Sequence, residues 1–297
     1  MKKLILLICL SLSIQLVFAQ SAKDILKQKT ERQLQDIVDS SPFLTGIMAI
    51  DLTTGDSFAI NQDIVFAQAS AIKIPILMEV YKQAKENKFA LKDTRPLIAS
   101  NTVAGSGILN TMVDPVELSI RNYCMLMIGL SDNSATNTLI ELVGLKNINS
   151  TMQSLGLKNT RVQRKMIDQP ASLRNEENIS TPAEAAKLLK LLYDGKFIDK
   201  AVSDEILLTL QKNPVENSKL AKGIPSNVKI AFKPGGMGGV STEWGIIYLA
   251  KKPYAVAVME NYKAGTASQD AISSLSKALY DYYSRIAKAT NYGVIFE

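Results

Sequence analysis

Ser70-Ala71-Ile72-Lys73 is the first stretch of this chain whose residue types and spacing suit covalent chemistry. At the start of a helix, residues three apart share a face, so the Lys73 amine can approach the Ser70 hydroxyl. In a dry pocket near a second cation, a lysine loses its proton more readily and can accept one from serine. The helix N-terminus adds positive potential where an oxyanion would form. The spacing alone is common: Ser226 and Lys229 share it, as do Ser274 and Lys277. A capping serine followed by a surface lysine would look alike. What sets Ser70 apart is the Phe66-Ala67-Gln68-Ala69 lead-in and the apolar helical run after it, Pro75 included.

Two further segments carry candidate groups. Ser131-Asp132-Asn133 follows Gly129 between two helical patterns. Its functional reading makes the Ser131 hydroxyl a proton relay to a leaving amine and Asn133 a hydrogen-bond partner of a substrate amide. Loop and capping chemistry accounts for the same residues. Lys233-Pro234-Gly235-Gly236 ends a strand-like run. Lys233 could bind a carboxylate and help depress the pKa of Lys73. The glycines would let a substrate backbone lie along the strand edge, with the Gly236 N–H joining that of Ser70 in an oxyanion hole. Proline at 234 fits an edge strand only, and a plain strand-to-turn junction is the alternative.

Composition narrows the chemistry. The chain has no histidine among 297 residues, which removes histidine triads, histidine bases and histidine zinc sites together. Lysines and carboxylates are the bases left. Lys2 and Lys3, the apolar stretch Leu4 to Val17 and Val17-Phe18-Ala19 form an export-signal pattern, so residues 1–19 are expected to be removed, leaving Gln20 first. Cys9 leaves with them and Cys124 has no intrachain partner. The formal charge of +6 includes Lys2 and Lys3, and no dense basic cluster interleaves with aromatics. Nucleic acid is therefore not an expected partner. Neither a stable membrane anchor nor an obligate assembly is expected: the protein should be an exported monomer, periplasmic or secreted.

The elements that must position these groups follow from periodicity. Residues 22 to 39 form an amphipathic helix, and residues 46 to 60 a hairpin around Thr53-Thr54-Gly55-Asp56. A buried helix runs from Ser70 to about Lys88, and helical patterns dominate 115 to 195. Thr181-Pro182-Ala183-Glu184 is a helix start. Strands return near 228–232, 244–249 and 254–259, and a last helix spans about 266 to 288. Strands at both ends and helices between them imply an α/β lobe of about 20–67 and 213–297, and an all-α lobe of about 68–212, in one domain spanning 20–297.

S-x-x-K, S-D-N and a K-T-G-like element, in this order, make the chain resemble the class A β-lactamases and penicillin-binding proteins. Met127-Ile128-Gly129-Leu130, Ala135-Thr136-Asn137, Leu142-Val143-Gly144 and Thr181-Pro182 are similar too. The resemblance implies a two-lobed α+β (α/β) fold, with an antiparallel sheet of about five strands flanked by helices and an inserted all-α lobe. It implies that Ser70 is acylated, Lys73 moves its proton, Ser131 relays a proton to the leaving nitrogen, and Asn133, Lys233, Gly235 and Gly236 bind substrate, with no metal or organic cofactor.

The sequence departs from that family at two places. Its R-x-E-x-x-L-N loop, whose glutamate activates the deacylating water, corresponds to Arg164-Lys165-Met166-Ile167-Asp168-Gln169-Pro170. Met166 cannot act as a base. Asp168 is the nearest carboxylate and the candidate replacement, a solvated loop aspartate being the alternative, while Glu177 is expected to pair with Arg164. Pro234 removes a hydroxyl the family uses, for which Ser241 and Thr242 are candidate substitutes. Acylation is expected to survive; turnover is the open point. A β-lactamase is the leading reading, ahead of a peptidoglycan peptidase or esterase and of a slowly released β-lactam-binding or sensor module.

Overall fold

Ser21 starts the first helix by accepting a hydrogen bond from the Asp24 N–H while the Asp24 carboxylate accepts one from Ser21, a reciprocal capping box. The computed structural model describes residues 21–264, 271–290 and 292–295. The export-signal reading of residues 1–19, the proposed start at Gln20 and the opening residues 266–270 of the last predicted helix lie outside the described residues.

The first half of the chain contains α1 (Ala22–Asp39), β1 (Leu44–Asp51), β2 (Ser57–Ile60), β3 (Phe66–Ala67), α2 (Lys73–Lys85), β4 (Thr94–Pro96), β5 (Glu117–Ser119), α3 (Ile120–Gly129), α4 (Asn133–Val143) and α5 (Leu145–Ser154). It continues with α6 (Gln169–Leu173), β6 (Ile179–Ser180), α7 (Pro182–Tyr193), α8 (Lys200–Leu210), α9 (Lys219–Lys222), β7 (Ile230–Met237), β8 (Val240–Ile247), β9 (Tyr254–Asn261) and α10 (Ala271–Lys288). The hairpin expected over 46–60 is β1–β2, with Ile47 opposite Ile60. Its turn is tied by the Asp51 carboxylate, which accepts from the Thr53 and Thr54 N–H groups.

One antiparallel five-stranded sheet has the order β2-β1-β9-β8-β7. Alternation along its strands divides two cores. Ile230, Phe232, Val256 and Val258 pack with α1 and α10 on one face. Ala231, Trp244, Ile246, Ala255, Ala257 and Met259 face the buried residues of α2 to α8 on the other. The sheet thus joins β1 and β2 to β7, β8 and β9. Strand β7 is an edge, where the missing N–H of Pro234 interrupts no central ladder.

Helix α2 starts three residues later than the sequence suggests. Ser70 lies in a 3-10 turn over Ala69–Ile72 that leads into α2. With three residues per turn, Ser70 and Lys73 remain on one side. Ten of the thirteen residues of α2 are buried, which fixes its N-terminus deep between sheet and helices.

Candidate active site

Ser70 and Lys73 come from the 3-10 turn and the head of α2, Ser131 from the α3–α4 junction, and Lys233 from edge strand β7. Lys233 has the parity of Ala231, so its side chain emerges on the sheet face turned to the helical lobe. There it meets Ser131. The Ser131 hydroxyl accepts from Lys73 Nζ at 3.1 Å and from Lys233 Nζ at 3.2 Å. Lys73 Nζ also donates to the Ser131 carbonyl at 2.6 Å and to Asn133 Oδ1 at 3.0 Å. These bonds hold the Lys73 amine against residues 131 and 133, and Ser70 and Ser131 line the same cleft.

Both lysines are buried. Burial holds the Lys73 pKa well below the ordinary lysine value, the positive charge of Lys233 lowers it further, and Asp132 opposes the shift. Burial brings Lys233 down to about 7 against the attraction of Glu243. Near neutrality Lys233 therefore has access to its uncharged form, and Lys73 gives up its proton far more readily than an exposed lysine, as a proton acceptor needs.

Asp132, for which the sequence offers loop and capping chemistry, builds this junction. Its Oδ1 caps α4 by accepting from the Ala135 N–H at 2.8 Å, and its Oδ2 accepts from Ile108 and Leu109 N–H at 2.7 and 2.9 Å. That clamp supports Ser131 in the left-handed region, at φ 54°, a conformation a serine rarely adopts without such support. An aspartate immediately before a helical run is the capping signal that the sequence offered for Ser131-Asp132-Asn133.

Strand β7 closes the other wall. A Cβ on Gly235 would lie 2.5 Å from the Gln68 carbonyl and 2.7 Å from the Ala71 nitrogen, so only glycine lets the strand approach the Ser70 turn. A Cβ on Gly236 would meet nothing within 4 Å, and this residue opens on the cleft. A cavity of about 670 Å³ is lined by Ser70, Ser131, Lys233, Gly235, Gly236 and Ser241, with Lys219 and Lys263 at its wall. A second, of about 210 Å³, lies between Ser70, Asn133, Arg164, Met166, Ile167 and Met237. Among the described residues neither is lined by a carboxylate, and no group of metal-ligating side chains occurs.

Two sequence-level candidates need correction. Thr242 shares the parity of Trp244 and turns inward; its hydroxyl is buried and donates to the Gln68 carbonyl at 2.9 Å, so it cannot substitute for a hydroxyl at 234. Only Ser241, on the opposite parity, lines the cleft, where its hydroxyl accepts from Lys219 Nζ at 2.7 Å. Asp168 is not brought to the site. It caps α6, its Oδ1 accepting from the Ala171 N–H at 3.1 Å, and it lines neither cavity. Glu177 pairs with Arg164 at 2.8 Å, as expected, and Glu176 pairs with Arg174.

A sheet with helices on both faces, and a serine with two buried lysines beside one cleft, define a serine hydrolase of the β-lactamase and penicillin-binding type. The chain belongs to the beta-lactamase enzyme family, which it matches over residues 29–283. An imipenem-hydrolyzing beta-lactamase of Enterobacter cloacae is 23% identical over 246 residues, covering 80% of this chain and 83% of that protein. The crystal structure of a beta-lactamase from Sphaerobacter thermophilus DSM 20745 superposes with a TM-score of 0.79 at 28% identity, over 86% of this chain and 97% of that one. PBP-A has a TM-score of 0.78 at 24% identity, over 86% and 96%.

Proposed function

We propose that this protein opens β-lactam rings through an acyl-Ser70 intermediate. The observation that carries the reading is the convergence of Lys73 and Lys233 on the Ser131 hydroxyl beside Ser70. Neutral Lys73 takes the Ser70 proton as Oγ attacks the carbonyl carbon. The tetrahedral oxyanion, held by the Ser70 and Gly236 N–H groups, collapses with breakage of the ring C–N bond. Ser131 gives its proton to the leaving nitrogen and recovers one from the Lys73 ammonium, which returns to the amine. Asn133 and Lys233 bind the substrate's amide and carboxylate, and Ser241 adds a hydroxyl near the latter. Water then cleaves the ester, releasing the acid and Ser70. All these groups come from one chain, which fits a monomer, and a role in antibiotic resistance follows if the enzyme is exported as the 1–19 pattern suggests. No helix of the described residues is long and apolar enough to cross a membrane.

One observation favours slow release of the acyl group. Met166 lines the small cavity beside Ser70, and Asp168 is a helix cap that lines neither cavity. A penicillin-binding peptidase, or a protein that holds β-lactams for long periods, would share the acylation machinery. Mixing the enzyme with a chromogenic cephalosporin while following intact mass tests both. Steady turnover supports the lactamase, a single-equivalent burst with a lasting adduct the slow variant, and acylation of Ser70→Ala refutes the nucleophile.

A further inference from the structure

Gln68 is fully buried two residues before the nucleophile, yet every part of its amide is engaged. Its Nε2 donates to the Phe66 carbonyl at 2.9 Å, with the Ser180 carbonyl at 3.4 Å and the Met259 sulfur at 3.1 Å also in reach. Its Oε1 accepts from the Trp244 indole N–H at 3.0 Å. The backbone is held as well: the Gln68 carbonyl accepts from the Thr242 hydroxyl and the Ala71 N–H, and its N–H donates to the Asn178 carbonyl. Next in sequence, Ala69 has φ 45°. That is the left-handed region, which a residue with a Cβ occupies only when its surroundings hold it there.

From this arrangement we infer that Gln68 is a positioning residue for Ser70: it fastens the strained turn at Ala69 to β6, β8 and β9, so that the nucleophile enters the cleft on a fixed backbone. The inference rests on the assignment of Ser70 as nucleophile. An apolar side chain of the same size would fill the space between Phe66, Trp244 and Met259 equally well. A glutamine is needed there only to hold the turn, because its buried amide takes partners from four strands, β3, β6, β8 and β9. The geometry also explains the position of Thr242, whose hydroxyl is the backbone half of the same clamp.

Gln68→Met keeps the volume and removes both amide functions, and Trp244→Phe removes the indole donor together with part of the ring volume. Stopped-flow acylation by a chromogenic cephalosporin, normalised to folded protein, separates the acylation rate constant from the dissociation constant of the non-covalent complex. The expected result is a fall in the rate constant of about tenfold or more in each variant, the dissociation constant little changed, and the double variant no slower than the slower single one. Unchanged acylation with only a lowered melting temperature would mean that Gln68 merely fills the core. If Gln68→Met does not fold, Trp244→Phe decides the matter by the same readout. Should the wild-type protein form no Ser70 adduct, the functional reading fails, and a crystal structure of Trp244→Phe tests the clamp separately. Departure of Ala69 from its left-handed conformation supports it, and an unaltered turn overturns it.

Discussion

Asn137 grips Met166 through its peptide groups: the Met166 N–H donates to Asn137 Oδ1 at 2.7 Å, and Asn137 Nδ2 donates to the Met166 carbonyl at 3.3 Å. The loop is thus held by backbone at the point where its side chain enters the small cavity beside Ser70. Its ends are tied by the Arg164–Glu177 pair and by Asn178, whose Oδ1 accepts from the Gln163 and Arg164 N–H groups. The side chain at 166 can therefore change while the loop keeps its course.

Met166→Glu is accordingly expected to speed deacylation by about 10²-fold, the usual contribution of a positioned general base, while acylation changes little. Single-turnover decay of the acyl-enzyme mass measures it. Equal decay in wild type and variant would show that water has no access to the ester from this cavity.

How much of this site was legible beforehand follows from the kind of signal each residue left. Ser70, Lys73, Ser131 and Lys233 belong to spaced motifs, and the fold brings them together beside one cleft. Pro234 was assigned to an edge strand because a missing N–H has few tolerable places, and β7 is an edge. Ser241 and Thr242 were grouped although neighbours on a strand face opposite ways; period-two alternation sends Thr242 toward Gln68 and leaves Ser241 in the cleft. Asp168 was judged by its distance along the chain from the missing glutamate. Its value as a cap three residues before Ala171 was the stronger local rule. Gln68 stood only as part of the lead-in to Ser70; its own role left no signal, since three of the four partners of its side chain lie 112 to 191 residues away.

The two lysines set the pH dependence. Acylation should rise with pH as Lys73 loses its proton, while carboxylate binding weakens as Lys233 discharges near 7. Because the charge of Lys233 lowers the Lys73 pKa, Lys233→Met should move the acid limb of the acylation rate constant to higher pH. An acid limb that stays in place would separate the two amines electrostatically.

The same substitution should stabilise the fold. Lys233 titrates near 7 when folded and near 10.5 when unfolded. Between these values the unfolded chain binds the extra proton, so wild-type stability rises with pH by up to about 1.4 kcal/mol per unit. The penalty of the buried charge is complete below 7 and absent above 10.5. Lys233→Met removes it, and the variant's gain in melting temperature should be large at pH 6.5 and shrink toward pH 10. A gain independent of pH would point to packing instead.

Adjacent glycines on β7 should respond differently. Gly235→Ala drives a methyl against the Gln68 carbonyl and the Ala71 nitrogen, an overpacking that costs about 1–3 kcal/mol, and it should slow acylation by pushing the Ser70 turn away. Gly236→Ala meets no protein atom. It should leave the melting temperature unchanged and weaken only substrate binding, because its methyl projects into the cleft. Equal losses of stability from both substitutions would contradict this division of the strand.

Asp168 provides the sharpest contrast between reading the loop as sequence and as structure. As a deacylation base it would have to release its proton-accepting oxygen toward the cleft, yet that carboxylate caps α6 and lines neither cavity next to Ser70. Asparagine caps a helix as well as aspartate does, so Asp168→Asn should preserve both stability and deacylation. Asp168→Ala should lower stability by about 0.5–2 kcal/mol through the lost cap, again without a specific effect on deacylation. Acyl-enzyme lifetimes of the two variants, measured beside their melting temperatures, separate the roles: a lifetime lengthened in Asp168→Asn at unchanged stability would restore the carboxylate to the mechanism.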